Sequence, residues 1–318
     1  MRTLYPELAA YSVGTLSVDG GHSVYYEESG NRHGIPVVYL HGGPGSGSNE
    51  KHRRYFAPDK YRIIIFDQRG CNRSIPRGET RNNTTRDLIE DMESLRMELG
   101  IDKWLVYGGS WGAALGLLYA QEHPDRVRGM ILRGTFLARQ EDLDWFIRHG
   151  DNRIFPDAWE EFIALIPENE RDDLVEAYHR RVHGNDPELQ YQAARAWSRW
   201  SGTIVSYLLT ETSPEPANEE QVLHEVLIET HYARHRYFID DNQILDNVHK
   251  LPAVPIDIIH GRRDLTCTLS ASWELHKALP DSRLHVVREG GHLAGEPVMT
   301  DALVSATDAM ALKLKSEG

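Results

Sequence analysis

The chain of 318 residues lacks several features of secreted and membrane proteins. It contains only two cysteines, Cys71 and Cys267, which are too few for a disulfide framework. It has no apolar run near the roughly 18 residues that a membrane helix needs. Its first residues, from Met1 to Glu7, lack the basic and apolar regions of a signal peptide. We therefore expect a cytoplasmic protein without a membrane partner.

The chain also has fewer basic than acidic residues. The 35 Lys and Arg residues stand against 48 Asp and Glu residues, which gives a net charge of −13. Because nucleic acids and anionic membranes bind basic surfaces, this balance argues against both as partners. The length suits one large α/β domain with an insertion, or two modest domains.

Strand-like apolar runs alternate with helical patterns from about residue 11 to residue 134. The strand-like runs cover residues 36–40, 61–66, 104–107 and 130–133, and an amphipathic helix is predicted over residues 85–99. Such alternation is typical of a mostly parallel sheet with helices on both faces. Strand-like runs stop at about residue 137 and return only at residues 256–259 and 283–287, before a helix after Asp301. We therefore predict an α/β core formed by residues 1–136 and 248–318, with an inserted helical cap over residues 137–247.

Ser110 lies at the centre of a Gly-Gly-Ser-Trp-Gly run, between a predicted strand and a helix-like segment. A serine on a sharp strand-to-helix turn needs glycines two residues to either side, because a Cβ atom there would collide where strand and helix cross. The helix N-terminus behind the serine favours developing negative charge. This pattern predicts Ser110 as a nucleophile.

A serine nucleophile needs a base and a carboxylate that orients the base. In this strand-helix arrangement, the order along the chain is Ser, then Asp or Glu, then His. Asp264 follows the strand-like run 256–259, and His292 follows the run 283–287. Since the carboxyl ends of parallel strands meet at one edge of a sheet, we expect Asp264 and His292 to lie near Ser110.

A glycine-rich run, His41-Gly-Gly-Pro-Gly45, follows another strand-like segment. Glycines allow backbone N–H groups to turn toward a substrate oxygen without obstruction by a side chain. We predict that the N–H groups of Gly43 and Trp111 form the oxyanion hole.

Together these motifs resemble the prolyl aminopeptidase (proline iminopeptidase) family, serine peptidases of the α/β-hydrolase fold with a helical cap. Further motifs that carry the resemblance lie at residues 67–70 with 73–74, at 155–159, at 241–243 and at 260–264. The resemblance spans about residues 15–307. It implies Ser110 as the nucleophile with Asp264 and His292 as its partners. It also implies release of an N-terminal residue, typically proline, from a short peptide or amide, without a cofactor.

The chain departs from this family in the predicted cap. The family places a glutamate that helps hold the substrate's α-ammonium after a Trp-x-x-Trp motif, and this chain has Ser201 there. A second family glutamate is present as Glu229. Loss of one carboxylate weakens the attraction for an ammonium group. We therefore expect the affinity for plain amino-acid amines to fall or to be recovered elsewhere, so the motifs indicate the family without establishing specificity for proline. Among the apolar residues, we expect Phe136 and Trp145 to line the substrate pocket.

Parts of the sequence also bear on other functions and sites. Ser201 favours, as the alternative, an amidase or esterase that acts on an aminoacylated small metabolite. A catalytically silent binding protein is disfavoured by the complete Ser, Asp and His set. His231 and His235 have a spacing that metal ligands use, but no third ligand is evident, so we predict no metal site. Cys71 and Cys267 either border the pocket or are buried and inert.

Overall fold

A single eight-stranded sheet crosses the molecule, with the strand order β1-β2-β4-β3-β5-β6-β7-β8. The computed structural model describes residues 1–208 and 218–316. The strands are β1 (Ala10–Ser17), β2 (Ser23–Gly30), β3 (Ile35–Leu40), β4 (Tyr61–Phe66), β5 (Trp104–Gly109), β6 (Val127–Arg133), β7 (Ile256–Gly261) and β8 (Arg283–Val287). β1 pairs with β2, and β2 with β4, in antiparallel orientation, and the remaining pairs are parallel. The predicted mostly parallel sheet is confirmed.

Helices cover both faces of this sheet. The helices are α1 (Thr85–Glu98), α2 (Trp111–Glu122), α3 (Gln140–Ile147), α4 (Pro156–Ala164), α5 (Leu174–Val182), α6 (Pro187–Ser206), α7 (Glu219–Arg234), α8 (Gln243–Asp246), α9 (Leu269–Ala278) and α10 (Pro297–Ser316). Buried residues of α1, α2 and α9 belong to the core on one face, and those of α10 belong to the core on the other. No helix in the described ranges is long and apolar enough to cross a membrane.

The central strands β3 and β5 contain no charged residue, because both faces of the sheet are buried there. In β3, Val38 and Leu40 pack into one core, while Val37 and Tyr39 pack into the other. Alternation of side chains across the sheet produces this division, and helices on both faces make it favourable. The continuous apolar run is thus the signature of a strand between two helical layers.

The two N-terminal strands were not predicted individually, because their sequence lacks such a run. The buried positions of β2 include Glu27 and Glu28. Arg53 pairs with Glu27, and Arg62 pairs with Glu28, each at 2.6 Å. Ion pairs therefore replace apolar side chains where β2 is covered. At the other end of the chain, the last helix begins at Pro297, ahead of the predicted Asp301.

Helix α1 has the boundaries that its sequence predicts, to within one residue. The Thr84 hydroxyl accepts a hydrogen bond from the Asp87 N–H, and the Asp87 carboxylate accepts one from the Thr84 N–H at 2.8 Å. This reciprocal pair satisfies two backbone groups at the start of the helix. After the helix ends, Gly100 has a φ of +63°, a conformation that favours glycine and turns the chain toward β5.

The helices between β6 and β7 have their own hydrophobic core. Phe162 stacks on Tyr178 with ring centroids 4.5 Å apart, and on Trp200 at 5.4 Å. The surrounding apolar residues of this core range from Leu143 to Ala233. These aromatic residues of the cap therefore have a structural role. The domain bounds at residues 136 and 247 stay a prediction.

We expect one histidine of this region to make stability depend on pH. Burial between α5 and α7 lowers the pKa of His179 to about 3, and the neighbouring His183 and Arg234 add to the effect. Because the ordinary pKa is 6.5, the unfolded chain takes up the proton first. The neutral ring's contribution is present above pH 6.5 and is lost as the pH falls toward 3.

The measurement is urea unfolding at about pH 7 and about pH 5, with wild type and His179→Gln in parallel. The free energy of unfolding should fall less on acidification in the variant than in wild type. Equal losses in both proteins would contradict the assignment to His179.

Candidate active site

Ser110 occupies a strained position between β5 and α2. Its φ of 57° and ψ of −125° lie outside the regions that non-glycine residues usually adopt. A Cβ atom on Gly108 would lie 2.2 Å from the Gly112 carbonyl oxygen, and one on Gly112 would lie 2.2 Å from the Leu40 oxygen. The glycines on both sides of Ser110 are thus required by contact, as the sequence pattern predicts.

Asp264 and His292 meet beyond the ends of β7 and β8. The His292 Nδ1 atom lies 2.8 Å from Asp264 Oδ2, and both residues are buried. The Cys267 N–H donates to Asp264 Oδ1 at 2.9 Å, and the His260 ring lies 3.6 Å from Oδ2. Burial raises the pKa of the Asp264 carboxyl, but His292 and His260 outweigh burial, so that this pKa lies below its usual range. An ionised carboxylate here keeps the proton of the neutral imidazole on Nδ1.

The Ser110 hydroxyl lies beside Cys267, with Oγ 3.8 Å from the Cys267 Sγ atom. The His292 Nε2 atom lies 3.3 Å from the guanidinium of Arg133, which also donates to the His292 carbonyl oxygen at 2.8 Å. Arg133 is the last residue of β6, next to the serine strand. The structure thus brings the three predicted residues to one edge of the sheet, together with an arginine that was not predicted.

The two predicted oxyanion donors have the backbone freedom that this role needs. Gly43 has a φ of +108°, and a Cβ atom there would lie 2.5 Å from the Gly45 nitrogen. Trp111 is the first residue of α2, where backbone N–H groups lack helical partners. Among the described residues, no acceptor for either N–H appears. Both groups are therefore free to bind a substrate oxygen.

Gln68 connects the glycine-rich loop to the serine turn. Its side-chain amide donates to the His41 carbonyl oxygen at 3.0 Å and accepts from the Trp111 indole N–H at 2.9 Å. Its backbone N–H donates to His41 Nε2 at 3.0 Å. One buried side chain thereby fixes the relative position of the two segments that carry the predicted oxyanion donors.

A cavity of about 560 Å³ lies between the sheet edge and the cap. Ser110 and His292 line it, as do the predicted substrate residues Phe136, Ser201 and Glu229.

The fourth predicted substrate residue, Trp145, does not line this cavity. Its indole N–H donates to the Leu265 carbonyl oxygen at 2.7 Å, and its ring borders a smaller neighbouring cavity. The adjacent Phe146 lines the large cavity instead, and this corrects the prediction for Trp145. The register of α3 decides which of the two rings faces inward, and the sequence alone does not fix it.

Glu229 lies on the cap wall of this cavity. Its Oε2 atom accepts a hydrogen bond from the Trp197 indole N–H at 2.6 Å. Burial raises the pKa of the Glu229 carboxyl to about 8, although the Trp197 hydrogen bond opposes this shift. Across the cavity wall on α6, the Ser201 hydroxyl donates to the Ser198 carbonyl oxygen at 3.4 Å. The cavity therefore offers an acidic group beside an apolar surface.

The remaining candidate residues have structural contacts. The ring nitrogens of His231 and His235 face the carbonyl oxygens of Asn83 and His231, at 2.9 and 2.8 Å. Cys71 and Cys267 are both free and buried, and burial raises the pKa of each thiol. Only Cys267 of the pair lines the described cavity.

A family model and several known proteins are similar to this chain over most of its length. A family model described as the alpha/beta hydrolase fold matches residues 35–296. A protein of Xylella fastidiosa named proline iminopeptidase is 47% identical over 310 residues, covering 97% of this chain and 99% of its own. Similar relatives of the same name occur in Arabidopsis thaliana, at 46% identity over 97% of this chain and 82% of the relative, and in Neisseria gonorrhoeae, at 42% over 96% and 98%. The chain belongs to the proline iminopeptidase family.

Solved structures of more distant hydrolases share the fold of this chain. An esterase from Rhodococcus sp. ECU1013 has a TM-score of 0.58 at 18% identity, covering 96% of this chain and 99% of that one. A hydrolase of the alpha/beta fold family from Bacillus anthracis has a TM-score of 0.58 at 19% identity, covering 94% and 100%. At such identities the likeness concerns the fold alone.

Two site residues of this proline iminopeptidase family member escaped the sequence analysis. Arg133 ends the strand β6, whereas the sequence patterns for catalytic residues concern the loops after strands. Gln68 stands in a motif that the resemblance quotes, but no spacing rule indicates that its amide joins two separate loops. The available signal for Gln68 is its polar character in the second position after the buried strand β4.

Proposed function

We propose that the chain is a serine aminopeptidase that releases an N-terminal proline, or a similar residue, from short peptides or aminoacyl amides. The observation that carries this proposal is one cavity lined by Ser110 on its strained turn, by His292, which is paired with Asp264, and by acidic residues. Membership in the proline iminopeptidase family supports the choice of substrate.

In the proposed reaction, Ser110 Oγ attacks the carbonyl carbon of the N-terminal residue and gives its proton to His292 Nε2. The carbonyl electrons move to the oxygen, and His292 then protonates the leaving amine as the C–N bond breaks. Water, deprotonated by His292, hydrolyses the resulting ester. Before the attack, the Ser110 hydroxyl must turn from Cys267 toward His292, and the Arg133 guanidinium must release His292 Nε2.

The N–H groups of Gly43 and Trp111 are the proposed donors to the oxyanion. Backbone donors held in place by Gln68 need no rearrangement as the negative charge develops, which is the arrangement that stabilises such transition states most. The hydrogen bonds of Gln68 to His41 and Trp111 support this assignment, because they set the spacing between the two donors.

Glu229 is the proposed acceptor for the substrate's free ammonium group, and Phe136 with Phe146 forms the apolar wall for the ring. Ser201 contributes no charge to this site. A free amine is the feature that separates an aminopeptidase substrate from an ordinary ester or amide, so the role of Glu229 tests the proposal directly.

We expect Glu229→Gln to lower kcat/KM for free-amine substrates about ten-fold, mainly through KM, because a charged partner is replaced by a neutral one of equal size. The measurement compares prolyl naphthylamide with its N-acetyl counterpart in wild type and variant. The N-acetyl compound carries no charge, so its hydrolysis should change little. Equal losses on both compounds would assign Glu229 a structural role.

An amidase or esterase of aminoacylated metabolites is the second candidate. Ser201 favours it, because the cavity wall there is neutral and small and leaves room for a group other than a peptide. A panel of aminoacyl naphthylamides beside simple esters separates the two functions. Preference for free-amine naphthylamides supports the aminopeptidase, and preference for esters without an amine supports the alternative.

Two further proposals concern the organisation and location of the chain. We divide it into a core of residues 1–136 and 248–318 and a cap of residues 137–247, because the helices between β6 and β7 have a hydrophobic core of their own. A cytoplasmic location fits the two free cysteines.

A further inference from the structure

Three carboxylates and two permanent cations line the large cavity: Asp142, Glu225, Glu229, Lys51 and Arg133. Asp142 is paired with Arg139 at 3.0 Å, and Arg133 bonds to His292. Among the described residues, neither Glu225 nor Glu229 has a basic partner within 4.0 Å, the limit for an ion pair. The cavity therefore contains two carboxyl groups that form no ion pair with a described basic residue.

Glu225 and Glu229 lie one turn apart on α7, so their side chains share one face of the helix. The Glu225 carboxylate accepts one hydrogen bond, from Gln221 at 2.9 Å, and the Glu229 carboxylate accepts one from Trp197. A carboxylate can accept several hydrogen bonds, so both groups keep acceptor capacity for a ligand.

Helix α7 is held directly against the glycine-rich loop at this point. A Cβ atom on Gly45 would lie 2.8 Å from the Glu225 carbonyl oxygen and 3.3 Å from its Cα atom. Gly45 has a φ of +115°, so both its conformation and this close approach require glycine. The position of Glu225 is thereby fixed relative to the loop that carries the proposed oxyanion donor Gly43.

Two neighbouring carboxylates at a cavity wall are costly without a cation. Burial raises the pKa of the Glu225 carboxyl, and burial together with the charge of Glu225 raises that of Glu229. Each group therefore resists ionisation, and a cation between the two would favour the ionised form of both. The arrangement is that of a site for a positively charged ligand group.

We propose that Glu225 is a specificity-determining residue that binds the substrate's free ammonium group together with Glu229. This inference rests on the proposed function, since it names a second acceptor for the same ammonium. The secondary ammonium of an N-terminal proline has two N–H groups, one for each carboxylate. Ser201, on the wall formed by α6, supplies no charge, and Glu225 provides the second carboxylate from α7.

The test uses Glu225→Gln, with Glu220→Gln as the matched control. Glu220 lies on the same helix and is exposed, and it does not line the cavity. We expect Glu225→Gln to raise KM for prolyl naphthylamide about ten-fold and to leave the N-acetyl compound unchanged within about two-fold. Glu220→Gln should change neither. Glu225→Asp, which keeps the charge on a shorter side chain, should fall between wild type and Glu225→Gln.

A second measurement separates this inference from the proposed peptidase activity. Prolinamide and N-acetylprolinamide are tested as inhibitors of p-nitrophenyl acetate hydrolysis, so that ammonium binding is read without cleavage of a prolyl bond. Inhibition by prolinamide that weakens about ten-fold in Glu225→Gln supports the ammonium site, even where wild type fails to cleave prolyl substrates. In that case the proposed peptidase function is refuted, and the proposed ammonium site is not.

Two results would overturn the role of Glu225. One is a Glu225→Gln enzyme that behaves like Glu220→Gln in both measurements while Glu229→Gln is impaired, since Glu229 would then act alone. The other is an equal loss for charged and uncharged compounds, which would mean that Glu225 only stabilises α7. Circular dichroism of each variant establishes that the compared proteins are folded.

Discussion

Ser110→Ala lowers kcat by roughly 10⁴–10⁶-fold without unfolding the protein, since the hydroxyl is the atom that the proposed reaction consumes and regenerates. His292→Ala should have a similar effect, and Asp264→Ala a loss that is smaller or equal. The double variant Ser110→Ala with His292→Ala should be little worse than either single variant, because the residues act as one unit. The measurement is kcat on prolyl naphthylamide, with thermal unfolding to establish the fold.

A folded Ser110→Ala enzyme with a near-normal rate would remove the acyl-enzyme from the mechanism. Additive losses in the double variant would mean that His292 acts on a step separate from Ser110. The Arg133 guanidinium also approaches the His292 Nε2 atom that must accept the serine proton.

Gly43→Ala lowers kcat by roughly 10²–10³-fold, the cost of losing one oxyanion donor, or about 3 kcal/mol. The added Cβ would lie 2.5 Å from the Gly45 nitrogen and 2.8 Å from the Ser46 nitrogen, so the loop must shift. That shift turns the Gly43 N–H away from the substrate oxygen. KM should change less than kcat, because the bond strengthens in the transition state.

Gly21→Ala is the control for the strain of a positive φ alone. Gly21 has a φ of +80°, and a Cβ atom there meets nothing within 4 Å. Its activity should remain that of wild type. If Gly43→Ala kept full activity while its fold stayed intact, the oxyanion would have to be bound by other groups.

The positions of the candidate catalytic residues along the chain could be predicted from the sequence, because short local patterns indicate them. The turn around Ser110 needs glycine on both sides whatever the rest of the fold does, and Asp264 and His292 stand in the loops that follow predicted strands. These signals depend only on short segments of the chain, and the parallel sheet brings the segments together.

Contacts between segments could not be predicted in the same way. Whether Trp145 or Phe146 enters the cavity depends on the rotation of α3, which the packing of the whole cap decides. The approach of Arg133 to His292 depends on rotamers, and the position of Glu225 depends on how α7 lies against Gly45. The strand β2 could not be predicted for a different reason. Its buried residues Glu27 and Glu28 are stabilised by ion pairs, so its sequence shows no apolar pattern.

The raised pKa of Glu229 has a calorimetric consequence. With a pKa of about 8, this carboxyl is largely protonated in the free protein at neutral pH. Capture of an ammonium ion beside it would then expel a proton into the medium. The heat of prolinamide binding at neutral pH should therefore depend on the ionisation enthalpy of the buffer, and Glu229→Gln should remove that dependence in large part. The amine would be recognised by exchange of one positive charge for another.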